Sequence, residues 1–291
     1  MASSVPGAEH IGILFSGTTL DESIDWLGDA LEADTTPGQM APVLLWAVLA
    51  LVGGGLLLVP VSAAALGSGS TRPPWTLPGR WAIVLVLVAS VGASLVARVA
   101  APLSGLLPLA VGGYLATWFL VAGLTAAVGW IWRWRARAGW PVVTGRAVLG
   151  AVLTAAVAVV VLVVPGRMSW APFSLVGSRV WLAGLMLVVF TVYFAADELV
   201  VRRASLPRRI GLVLASRVIA VAVILGSIPL LGAPGFLVLL LPLMALMLLV
   251  LAGYAAVVSR FRDGFLAAVL VQAVPLALLV ATTFPLTASA S

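Results

Sequence analysis

Five side chains hold most of the chemistry available to this chain. His10 is its one histidine, the residue whose unperturbed charge changes near neutrality and which most often acts as a general base. Asp197 and Glu198 are adjacent carboxylates at the end of a long apolar run, with Arg202 four residues after Glu198 and Arg217 further along. Ionisable groups at membrane depth are costly and mark sites by default, although near a helix end they can reach the interface. Two uses follow. Glu198 and Arg202 have the favourable i to i+4 order for an ion pair that fixes helix depth, and the same carboxylates would serve a proton or ion site. Arg98 and Arg217 either snorkel to the nearer interface or pair with the two carboxylates, and Gln272 is expected to make an interhelical hydrogen bond. The chain has no cysteine, which removes disulfides, thiolate metal sites and thiol nucleophiles. No metal-ligand cluster, phosphate loop or nucleotide fingerprint is present, so neither metal nor cofactor is expected.

The elements that must carry these residues are set by composition. Of 291 residues 63% are hydrophobic and 9% charged, and the mean hydropathy is +1.20, which excludes a single soluble fold. Apolar runs bounded by Arg, Pro, Gly or Trp give spans near 41–66, 81–101, 106–132, 142–164, 178–201, 211–231, 235–258 and 265–285. Such long unbroken runs are helices rather than barrel strands, because a helix satisfies its own backbone in hydrocarbon. The expected fold is an all-α integral membrane protein. Residues 41–291 form a polytopic bundle of about eight transmembrane helices, and residues 1–40 form a short acidic extracytoplasmic tail containing a helix.

Arginine placement orients the bundle. All 16 basic residues are arginine. Twelve of them (72, 80, 133, 135, 137, 146, 202, 203, 208, 209, 260 and 262) fall in or around the first, third, fifth and seventh connections, whereas Arg98, Arg167 and Arg179 flank the even ones. The positive-inside rule makes the odd connections cytoplasmic and both termini extracytoplasmic, in a multi-pass protein of the cell membrane. Arginines confined to short connections between apolar runs argue against nucleic acid and for a lipid bilayer as partner. Trp75, Trp81, Trp130, Trp132, Trp134 and Trp140 on one side, with Trp46, Trp170 and Trp181 on the other, fit two interfacial belts.

The first 40 residues differ from the rest, with seven of the ten acidic residues and no arginine. They lack a basic start and an apolar core, so they are not a signal peptide. Thr19-Leu20-Asp21-Glu22 reads as a capping box, and Leu20, Ile24, Leu27 and Leu31 make one apolar stripe. A helix this short needs a surface to pack on. The run Pro6-Gly7-Ala8-Glu9-His10-Ile11-Gly12-Ile13-Leu14-Phe15, then a polar turn and a helix ending Asp25-Trp26-Leu27, resembles the carboxy-terminal end of an α/β-hydrolase domain. It is similar also to bacterial α/β-hydrolase-like proteins in which that end runs into a multi-helix membrane domain. In that family a Gly-x-x-His loop presents the catalytic histidine, and His10 matches it. The resemblance covers about 30 residues, over which its motif is read.

The triad is incomplete here. Nine residues precede His10, and Gly-x-Ser-x-Gly occurs nowhere. The resemblance therefore implies a hydrolase domain joined in cis or trans, with this chain as its tail and membrane domain and no complete catalytic site of its own. Asp197-Glu198-Leu199-Val200-Val201-Arg202 also resembles the first motif, Glu-Glu-x-x-x-Arg, of the CAAX-protease-like membrane family, whose later histidines have no counterpart after His10. Three functions follow in order: a membrane domain anchoring or partnering an extracytoplasmic hydrolase-like domain, a small transporter or permease component, and an intramembrane enzyme using Asp197 and Glu198.

Overall fold

The computed structural model describes residues 43–67, 78–100, 112–138, 143–169, 175, 177, 179–201, 204–235, 237–262 and 264–283. The amino-terminal tail, with His10 and the Thr19 capping box, lies outside the described residues. Within them the regular elements are eight helices, with no strand: α1 (Val43–Leu66), α2 (Gly79–Val99), α3 (Gly112–Ala138), α4 (Gly145–Ser169), α5 (Arg179–Val201), α6 (Leu206–Leu231), α7 (Leu237–Val258) and α8 (Gly264–Thr283). All eight are long and apolar enough to cross a membrane. The expected polytopic helical bundle is therefore the observed fold.

Helix ends depart from the apolar runs at several places, α4 for one continuing to Ser169, and two of the departures have a clear local reason. The third helix continues beyond Trp132 to Ala138, because an arginine-rich stretch is a good helix former once it leaves hydrocarbon. The sixth starts at Leu206 rather than near 211, with Pro207 in its first turn, where the missing N–H costs nothing. Arg208 and Arg209 thereby belong to a helix instead of a connection. At its other end α6 stops at Gly232, whose φ of 67° is left-handed and lets its N–H donate to the Ile228 carbonyl.

The last four helices form a central quartet. Helix α8 packs on α5 and α7, α7 packs on α6, and α5 and α6 approach only lightly. The first four split into two flanking pairs: α1 with α4 lies against α7 and α8, while α2 with α3 lies against α6 and α5. Between lipid and protein there is little difference in apolarity, so close packing and polar links decide which helices meet. Tyr254 donates to the Ala50 carbonyl beside Gly54, where any side chain would collide with its ring. Arg179 donates to the Ala281 carbonyl at 2.6 Å and Arg146 to the Ala65 carbonyl at 3.1 Å, tying helix ends across α5/α8 and α1/α4. On the other flank, Trp118 donates to Ser94 at 2.9 Å, and the Tyr114 and Ser227 hydroxyls are 2.8 Å apart. Gly123 brings α3 against the backbone of α5, since a Cβ there would lie 2.7 Å from the Cα of Tyr193.

A buried charge network between the central helices

The packing of α5 against α3 and α8 leaves one side of its last two turns facing α6. Along that side stand Tyr193, Asp197 and Glu198, all buried. From α6 come Arg209 and Arg217, also buried, and from α8 comes Gln272. Arg217 is the hub. Its Nη2 donates to Asp197 Oδ2 at 2.9 Å and to Gln272 Oε1 at 2.9 Å, while Nη1 donates to Ser216 Oγ at 3.2 Å and Tyr193 Oη at 3.3 Å. Gln272 is itself oriented by donating Nε2 to the Ala268 carbonyl, so its oxygen is left for the guanidinium. The arginine carbon also lies 5.2 Å from the Phe194 ring centre and 5.7 Å from that of Tyr193, within cation–π range. Behind it the rings of Trp118, Phe119, Phe190, Tyr193 and Phe194 form a chain of mostly edge-on contacts.

A second ion pair sits nearer the α5–α6 turn. Both oxygens of Glu198 accept from Arg209 Nη2, each at 2.7 Å. Asp197 and Glu198 are the only acidic residues among the described ones, and each is matched by one arginine. In low dielectric a matched pair is tolerable, whereas a lone charge is not. The two pairs also explain how α5 and α6 stay associated although their backbones scarcely touch: the long arginine side chains span the gap. Arg209 Nε and Arg217 Nε have no acceptor among the described residues.

Depth distinguishes the two pairs. Arg217 is three turns into α6, about 16 Å from Leu206 at 1.5 Å per residue, and Gln272 is about 12 Å into α8. The Arg217 centre thus falls near the middle of both helices. It is 2% exposed, so it does not snorkel. Arg98, by contrast, is exposed at the end of α2.

Of the residues singled out from sequence, Asp197, Glu198, Arg217 and Gln272 are brought together. Arg202 and His10 lie outside the described residues. Glu198 is held by Arg209, which the sequence had placed in a connection, and Tyr193 and Ser216 join the network unannounced. A signal for Arg209 was present: with a tight turn at Ala204-Ser205, residues about equally far from it on the two helices face each other, as Glu198 and Arg209 do.

Neither a family model, a curated protein nor a solved structure matches the chain. Its class accordingly rests on the eight spans and their packing, which define a polytopic helical membrane protein in contact with a lipid bilayer.

Proposed function

We propose that this bundle is the membrane domain of an α/β-hydrolase-like protein, holding the hydrolase on the extracytoplasmic face of the cell membrane. In this reading residues 1–40 are the end of the hydrolase domain, His10 is its catalytic histidine, and the nucleophile and acid come from a domain joined in cis or trans. The arginine-rich connections face the cytoplasm and both termini lie outside. The observation that carries the anchor role is the charge matching of Asp197 with Arg217 and Glu198 with Arg209. Groups satisfied by one another favour a fixed scaffold over a path for charge.

The test is to express the segment encoded next to Met1 together with this chain and assay esterase activity at the membrane. His10→Ala should abolish hydrolysis while leaving expression intact, and the paired exchange Arg217→Met with Asp197→Leu, which strands no charge, should spare it. Absence of any neighbouring segment with a Gly-x-Ser-x-Gly elbow, or a cytoplasmic signal from a topology reporter placed after Asp34, would overturn the reading.

One observation favours transport as a second reading: Arg217 and Gln272 meet at mid-length of α6 and α8, and Asp197 joins them from the last turns of α5, so that three helices share one polar centre, as carrier sites do. Solute or ion flux in liposomes that disappears in an Arg217→Met, Asp197→Leu variant keeping the unfolding midpoint of the parent chain would select it. The intramembrane-enzyme reading draws no support from the geometry, since Glu198 gives both oxygens to Arg209 and is not free to activate water.

A further inference from the structure

Far from the charge network, Gly67 gathers three arginines at one corner of the bundle. It follows the last residue of α1 with a φ of 83°, and the guanidinium of Arg146, from the first turn of α4, lies over it, with Nη2 3.3 Å and Cζ 3.6 Å from where a Cβ would stand. Arg146 is fixed there by donating Nε to the Ala65 carbonyl at 3.1 Å. From the other side the Gly67 carbonyl accepts the backbone N–H of Arg262 at 3.3 Å, which seats the α7–α8 turn on the end of α1. Arg260 and Arg262 in that turn are exposed, and neither side chain enters a hydrogen bond or ion pair among the described residues. Asp263 follows in sequence, and three arginines against one carboxylate still leave positive charge in excess. Within a turn of Arg146, α4 begins to turn Val148, Leu149 and Val152 outward, all exposed, so a hydrocarbon-facing surface starts next to the arginines.

We propose that this corner holds the headgroup of one anionic phospholipid, its phosphate met by Arg260 and Arg262 in the field of Arg146 and its acyl chains lying on the outward face of α4. The chemistry selects that occupant over others. Guanidiniums suit phosphate oxygens in paired hydrogen bonds, and arginine clusters at the ends of membrane helices draw anionic lipids. The chains need no cavity, because the α4 face is open to the bilayer. A free phosphate would use the arginines and leave that face without a role, whereas a zwitterionic lipid would bring a cation that the arginines repel. The proposal rests on the membrane-spanning fold and on neither the hydrolase nor the transport reading, so they stand or fall separately.

Native mass spectrometry of the full chain in detergent tests it, with phosphatidylglycerol and phosphatidylcholine of matched acyl chains as probes. Phosphatidylglycerol should be retained preferentially, and Arg260→Gln and Arg262→Gln should each weaken its retention by roughly fivefold, the usual share of one arginine near an anionic surface. Both side chains are exposed and unbonded, so the variants should keep the thermal midpoint of the parent chain, and Arg262→Lys, which keeps the charge, should recover most of the retention. Arg80→Gln is the control: Arg80 is exposed at the same membrane face but on α2, in the other flank, and its loss should leave retention unchanged. Equal retention of the two lipids would overturn the proposal, as would equal losses from Arg80→Gln and Arg262→Gln, which would mean diffuse charge instead of a site. So would displacement of phosphatidylglycerol by equimolar inorganic phosphate, which would reduce the corner to a free-anion site.

Discussion

Helices α1 and α8 have nearly the same mean hydropathy, yet 28% of the span in α1 is buried in the protein and 72% of that in α8. In water such a pair would both seek the interior. In a bilayer they do not, because lipid tails are as apolar as leucine and hydrophobicity no longer separates inside from outside. What differs is shape and polarity. Helix α8 presents Ala267, Ala268, Ala273, Ala277 and Ala281, all buried, and Gln272 among them. Its neighbours can therefore approach closely, and its amide finds an ionic partner on α6. Helix α1 points Leu56, Leu57, Val52 and Val59 outward and meets α7 through Gly54 and α4 along its other face.

The strongest way to break this contrast is to strand a charge in the centre. Arg217→Met leaves Asp197 buried without its partner, and should destabilise the bundle by about 3–5 kcal/mol, read by denaturant unfolding in detergent micelles. Adding Asp197→Leu should restore most of the loss, because the penalty belongs to the unpaired charge. Arg98→Met at the exposed end of α2 should change stability by no more than about 0.5 kcal/mol. A double variant as unstable as the single one would show that the network holds the helices by geometry rather than by charge balance.

Next in size is steric. Gly123→Val would push a side chain into the Tyr193 backbone and should cost about 1–3 kcal/mol, a typical overpacking penalty. Gly92→Val on α2, where a Cβ meets nothing within 4 Å, should unfold at the same denaturant concentration as the parent. Below these stands Gln272→Leu. It removes one acceptor of Arg217 while keeping the salt bridge, and should cost about 1–2 kcal/mol by the same unfolding measurement.

How far this was legible in the sequence follows from the same contrast. The eight spans could be read because each must cross about 30 Å of hydrocarbon, and that demand writes itself as length. Their order in the bundle could not. The apolar faces of α1 and α8 look alike when lipid and protein are equally good neighbours, so nothing in Val43–Leu66 announces a flank and little besides Gln272 in Gly264–Thr283 announces a centre. Asp197, Glu198 and Arg217 stood out because charge in an apolar run is rare. Pairing was harder: the i to i+4 rule points Glu198 to Arg202, but a rule for one helix is blind to a second helix returning alongside. Pro207 held the missing clue, since proline in a first turn marks where α6 starts and so places Arg209 on it.

The smallest expected effect tests the premise most directly. Leu56, 70% exposed on α1, faces lipid, and Leu58, two residues on, is fully buried. If lipid and protein interior are equivalent solvents, Leu56→Ala removes no packing partner and moves no surface into water, so the unfolding midpoint should shift by no more than about 0.5 kcal/mol equivalent. Leu58→Ala opens a space that neighbouring helices cannot fully close, and should cost several times more. The two variants change composition identically, so any difference between them measures packing alone. Equal and small losses would mean that α1 is held loosely on both faces. Equal and large losses would mean that the outer face of α1 is covered by another protein surface, and the flank would have to be redrawn as an interface.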